Sequence, residues 1–196
     1  MDRSSSRGAA LIDVVAACSV ITIVLAMSVP SLQATRDRGE ARLAARYLAQ
    51  RLQMVRVQAV RRNRMVAMRF DPEEVGRFEV FVDGDGDGVL QRDIDGRVDV
   101  SLETAARLGD YFAGAALRVA ATVPSPDGGG VIAADSDPVR IGGTNLLSFS
   151  PLGTATSGTV YLAGRSGPQF CVRILGTTGR VRMMWFDPAG GVWRQD

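Results

Sequence analysis

Two groups of residues have types and spacings that could do chemistry. In "DGDGDGVLQRDID" the carboxylates of Asp83, Asp85 and Asp87 alternate with glycines, and Gly88 and Val89 follow. Oxygens at positions 1, 3 and 5 with glycine at 6 form the first half of a calcium-binding loop. The bidentate acid expected at position 12 is replaced by Ile94, which Asp93 and Asp95 flank, so a displaced ligand completes the set if a cation binds. The alternative is a polar Asp-Gly turn between strands. The second group is a single residue, Asp13, set inside the apolar run "GAALIDVVAACSVITIVLAMSVP". An ionised carboxylate there is costly in a lipid environment, which calls for a partner charge, a proton, or a position near interfacial water.

The rest of the composition removes most catalytic options. There is no histidine, so the usual general base and most zinc sites are missing. No nucleophile motif or phosphate loop is visible, and the acidic loop has no obvious partner base; the chain is not expected to be an enzyme. All 23 basic residues are arginine, and the net charge of +2 gives no global argument for nucleic acid. Cys18 and Cys171 lie far apart in the sequence and do not form a disulfide framework.

The elements that must position these groups follow from periodicity. Ala9 to Val29 has the length of about twenty residues that spans a hydrocarbon core. Arg3 and Arg7 precede it, which predicts a single-pass anchor with a cytoplasmic N-terminus and the bulk of the chain exported. From Arg36 to Arg62 there is no proline, and Leu48, Leu52, Val55 and Ala59 recur at helical spacing, so an amphipathic helix continues to about Asn63. Beyond it come short strands: 65–70 and 77–82 as a hairpin, then 97–102, 146–150, 159–162, 170–175 and 181–186. The stretch 103–123 is ambiguous between helix and strand, and "PSPDGGG" reads as a flexible connection. The predicted class is α+β: a long N-terminal transmembrane and amphipathic helix packed on a C-terminal antiparallel β-sheet domain.

"GAALIDVV" at 8–15, with Pro30 near the end of the apolar run, resembles the cleavage and methylation site of type IV pilins and type II secretion pseudopilins. Ala9 stands where that family usually has Phe, and Asp13 where it has Glu. The resemblance implies a leader of residues 1–8 removed by a prepilin peptidase between Gly8 and Ala9, with Ala9 then N-methylated. It also implies an assembly segment, 9–30, in which Asp13 pairs with the N-terminal amine of a neighbouring subunit, supported by Leu11, Ile12 and Pro30. Residues 31–63 then continue the helix, and 64–196 form a periplasmic β-rich domain.

"RYLAQRLQMVRVQAVRRNRMVAMRF", "FSPLGTATSGTVYL" and "VRILGTTGRVRM" narrow the resemblance to the GspH/FimT group. GspH-like members are minor subunits at the tip of the type II secretion pseudopilus. FimT-like members sit in type IV pili, and some bind DNA for uptake through a Gly-Arg-x-Arg. That motif falls on Gly179, Arg180, Val181 and Arg182. Arginines at i and i+2 share one face of a strand and can grip adjacent phosphates, with Arg173 and Arg165 extending the patch if the fold brings them near. Otherwise they are a solvated strand edge. The reading favoured by the stronger assembly signature is a minor pseudopilin of a type II secretion system, in the bacterial inner membrane before assembly. The alternative is a DNA-binding minor pilin. The implied partners are other pilin or pseudopilin subunits, the peptidase, the inner-membrane assembly platform and lipid, with DNA under the alternative. No cofactor is required, and a structural Ca²⁺ is the one candidate ion.

Overall fold

The structure, a computed structural model, describes residues 5–196, with side chains described for 13–23 and 33–196. The chain divides into two units, Met1–Arg36 and Asp37–Asp196. Helix α1 (Ser5–Arg62) runs through the first and opens the second. In the first unit, Val14, Val15, Val20, Ile21 and Ile23 are all exposed, and the Ser19 and Thr22 hydroxyls donate to carbonyls four residues back.

In the second unit α1 is amphipathic as its spacing requires. Ala41, Ala44, Ala45, Leu48, Leu52, Val55 and Ala59 form a buried stripe, while Leu43, Met54, Val57 and Val60 point outward. The small residues at 41, 44 and 45 let the sheets approach closely, and Leu48 and Leu52 fill the core, each contributing about 1.5–3 kcal/mol by burial. The helix stops at Asn63, whose φ of 50° turns the chain, so that Arg64 N–H reaches the Ala59 carbonyl. Arg61 and Arg62 in its last turn face the negative end of the helix dipole.

Two antiparallel sheets cover the stripe. The first contains β1 (Val66–Phe70), β2 (Arg77–Val82), β3 (Val100–Arg107) and β8 (Leu146–Phe149), in the order β3-β2-β1-β8. The second is ordered β12-β11-β10-β9-β4, from β12 (Val192–Gln195), β11 (Arg180–Asp187), β10 (Gln169–Leu175), β9 (Gly158–Gly164) and β4 (Ala115–Leu117), with β7 (Val139–Arg140) pairing on β9. A separate hairpin joins β5 (Val123–Pro124) to β6 (Val131–Ile132). One core unites the stripe of α1 with Val66, Met68, Phe70 and Phe149 from the first sheet and Val160, Leu162, Phe170, Val172 and Ile174 from the second. The opposite face of the second sheet carries its own cluster, Tyr161 and Cys171 with Val119, Val123 and Ile132.

The α+β plan and the helix face therefore hold, with six differences of detail. The sheet is two sheets. The strand expected at 97–102 starts at Val100 because Arg97, with φ of 59°, lies in a turn, and it runs on to Arg107. The acidic loop contains a short helix, α2 (Gln91–Asp95), and the ambiguous stretch resolves into the end of β3, α3 (Leu108–Tyr111) and β4. "PSPDGGG" is the turn of the β5–β6 hairpin, and β12 was not expected at all.

Candidate functional site

The acidic loop follows β2. Asp83 is buried and accepts backbone N–H bonds from Gly86 at 2.6 Å and Gly88 at 3.3 Å. Asp99, also buried, accepts from Gly84 at 3.0 Å and Leu90 at 3.0 Å, which closes the loop across its base. The result brings carboxylate oxygens of Asp83, Asp85 and Asp87 within 4.8 Å of one another. Burial raises the Asp87 carboxyl above its ordinary range, and hydrogen bonding and repulsion from Asp85 push the same way, against Arg92. Asp93 and Asp95 do not join the group. Asp93 engages Arg92 at 3.1 Å, and Asp95 accepts from Gln91 at 2.9 Å. Val89 and Ile94 sit in a small apolar cluster with Ala67 and Phe81, which gives a packing reason for isoleucine where a calcium loop has its last acid.

The Gly-Arg-x-Arg lies at the start of β11. Gly179 is buried with φ of 56°, and a Cβ there would run into the carbonyl oxygen of Gly153 and stand 3.3 Å from Arg56 Nε. Only glycine fits this approach. Arg180 is exposed and Arg182 half-buried, and Arg182 Nε has no hydrogen-bond partner among the described residues. Arg182 and Arg173 are opposite one another across β11 and β10. Arg173 is already engaged: it donates to the Pro126 carbonyl at 3.1 Å and pairs with Asp127. Arg165 does not extend the patch. It follows the far end of β9 from Thr159, on the order of 20 Å away along the strand, and its guanidinium donates to the Ala113 carbonyl at 2.9 Å.

Of the assembly residues, Gly8, Ala9, Leu11, Ile12 and Pro30 lie outside the residues whose side chains are described; Asp13 is exposed. Among the described residues no helix is long and apolar enough to cross a membrane, and the expected span falls partly outside them.

Two carboxylates that sequence reasoning passed over fasten the helix to the second sheet. Asp37 accepts the backbone N–H of Arg165 at 2.7 Å and of Ser166 at 2.5 Å, together with the Ser166 hydroxyl. Asp196 pairs with Arg42 and, at 3.0 Å, with Arg46. Partial burial alone would raise both carboxyls, but the hydrogen bonds from Ser166 in one case and from Arg42 and Arg46 in the other hold each below its ordinary value. Their partners are remote in sequence, so no local pattern announces them. Arg38 over the Trp185 ring, 4.7 Å from its centroid, adds a third tie at the same end of the helix segment.

In the second unit, the α1 segment backed by antiparallel sheets and fastened through Asp37 and Asp196 defines a helix-spined α+β domain. Residues 44–178 match the family described as Type II transport protein GspH, a span from the middle of α1 to the turn before β11. The chain belongs to the GspH family. It is also similar to a structure of the minor pseudopilin EpsH from the Type 2 Secretion System of Vibrio cholerae. The TM-score is 0.48 at 17% identity, over 74% of this chain and 94% of that one. A second crystal structure of EpsH from the same organism gives 0.46 at 17% identity, with the same coverage. No curated protein sequence matches the chain.

Proposed function

We propose that this chain is a structural, non-enzymatic subunit at or near the tip of a periplasmic type II secretion pseudopilus, held in the inner membrane by its N-terminal helix before assembly. The observation that carries the reading is the family match over residues 44–178. Two further features support it. The Gly8 and Asp13 pattern resembles the one such subunits use for processing and assembly, with Asp for the usual Glu, and the exposed Val14, Val15, Val20, Ile21 and Ile23 suit an apolar surrounding such as lipid or neighbouring helices. Co-expression with a prepilin peptidase tests it. The mature chain should begin at Ala9 and carry one added methyl group, Gly8→Glu should stay unprocessed, and Asp13→Ala should be processed yet fail to restore secretion in a strain lacking the gene. Processing without any effect of deletion on secretion would overturn the secretion role.

On the same reading the Asp83–Asp87 loop holds a structural Ca²⁺. The support is the clustering of three carboxylates, with repulsion between Asp85 and Asp87 that a cation would relieve and that adds to desolvation in raising the Asp87 carboxyl. Thermal unfolding in Ca²⁺ should then lie above that in chelator, with the gap lost in Asp85→Asn; equal midpoints would leave the loop as a hydrogen-bonded turn.

A second reading, a minor pilin that catches DNA, is favoured by one observation: Arg180 and Arg182 have no carboxylate partner among the described residues. Two arginines supply little affinity alone. Duplex binding with a steep salt slope that falls in the Arg180→Ala/Arg182→Ala variant would favour DNA, and no binding near physiological salt would leave secretion.

A further inference from the structure

Charge is divided between two faces of the second unit. Residues 38–64, the helix segment and the turn after it, carry eight arginines against one acid, Glu40. Residues 71–95 carry nine acids against two arginines, Arg77 and Arg92. The two groups lie on opposite sides of the first sheet. Val66, Met68 and Phe70 of β1 face the core beneath α1, so the intervening Ala67, with Phe81 of β2, faces away from the helix. There it packs on Val89 and Ile94 of the acidic segment. A groove of about 440 Å³ on that face brings Asp71 and Glu73 beside Gln91 at the start of α2.

Each face holds charges that the fold itself leaves unmatched. On the helix, Arg42 and Arg46 share Asp196, and Arg51 takes Glu103. Arg56, Arg61 and Arg62 have no carboxylate partner among the described residues, and Arg62 donates only to Gln58. On the acidic face Arg92 engages Asp87 and Asp93, and Arg77 engages Glu74. Glu73 and Asp95 are exposed and have no basic partner among the described residues. Both regions also expose apolar side chains. Val57 and Val60 are each 53% exposed among the arginines, and Val75 at 61% and Leu90 at 36% lie among the acids.

We propose that the arginine face of one copy of this chain docks on the acidic face of a second copy, with Arg56, Arg61 and Arg62 set against Glu73 and Asp95. The two surfaces differ and lie on opposite sides of the domain, so the contact is heterologous and passes from copy to copy instead of closing in a pair. Like faces repel, which excludes the symmetric arrangement. Single exposed ion pairs contribute little. The opposed charges steer the approach and fix the register, and covering Val57, Val60, Val75 and Leu90 holds it. Duplex nucleic acid would match the arginines, but it would leave Val57 and Val60 uncovered and the acidic face unused. The contact does not rest on a role in secretion, so its failure leaves that role standing.

The test uses the full chain in neutral detergent, with micelles in large excess over protein, read by sedimentation velocity. Wild type should associate reversibly at low salt and separate at high salt, where the attraction is screened. Arg61→Glu/Arg62→Glu reverses unmatched charges on one face, and Glu73→Arg/Asp95→Arg reverses them on the other. Each variant alone should associate about tenfold more weakly or less still, as attraction across the contact becomes repulsion. An equal mixture of the two should regain association, because every contact between them pairs opposite charges. All four positions are exposed. Arg56→Gln, which removes a charge without reversing it, should weaken association by itself and serves if a reversed variant fails to fold. A wild type that stays single at low salt, association that both variants keep, or a mixture of folded variants that stays apart would overturn the proposal. Duplex DNA binding that is lost in Arg61→Glu/Arg62→Glu, with no association of the wild type, would assign the arginines to nucleic acid instead.

Discussion

At the scale of single residues, Gly179 separates two reasons for a glycine. Its φ of 56° is nearly that of Gly142 at 53°, but a Cβ at Gly142 meets nothing within 4 Å, while at Gly179 it meets the Gly153 carbonyl. Gly142→Ala should therefore cost about 1–2 kcal/mol from backbone strain alone. Gly179→Ala should cost that and more, as β11 is forced away from the 150–154 turn. Denaturant unfolding of the two variants side by side measures the difference; equal losses would mean that the close approach carries no energy. The sequence made the tight turn at Gly179 legible, through its place before an alternating run. It could not show Gly153, because that contact joins two turns that are distant in the chain.

At the scale of elements, α1 illustrates how much periodicity carries. Leu48, Leu52, Val55 and Ala59 were legible as one face, and all are buried. The strands β1, β2 and β8–β11 were legible for the same reason: apolar residues bounded by glycine, proline or polar turns. The failures share a cause. β12 holds Val192 and Trp193 with Arg194 and Gln195, too short and too polar for a pattern, and it pairs because β11 offers an edge. The β5–β6 hairpin read as a loose connection because what orders it, Arg173 and Trp193, comes from other parts of the chain. For the helix, Leu52→Ala should destabilise by about 2–5 kcal/mol, whereas Met54→Ala, two residues on and 52% exposed, should stay within about 0.5 kcal/mol. Equilibrium unfolding checks both. If Met54→Ala is as damaging as Leu52→Ala, the outward face is covered in the isolated chain.

At the scale of the whole molecule, Asp37 and Asp196 give the second unit a definite response to acid. Each carboxyl has a folded pKa below its ordinary 3.8, so each stabilises the fold above that value and loses its contribution as pH falls through the folded value. Unfolding curves should therefore drop below about pH 4 in the wild type. Asp37→Asn should lower stability by about 1 kcal/mol at neutral pH and flatten part of that drop. An unchanged acid limb would show that these groups titrate alike in both states. The candidate sites follow the same division of legibility. The acidic loop and the Gly-Arg-x-Arg could be seen in the sequence because their residues are contiguous.

The shared core has a consequence for the order in which the chain can fold. The stripe of α1 is complete by Ala59, yet half of its cover, Val160, Leu162, Phe170 and Val172, comes from strands made much later. Contacts of such long sequence separation make folding slow. Until β9 and β10 emerge, Leu48 and Leu52 lack half of their cover and remain a sticky surface. A chain cut short before β10 would accordingly be a client for proteolysis rather than a smaller version of the domain.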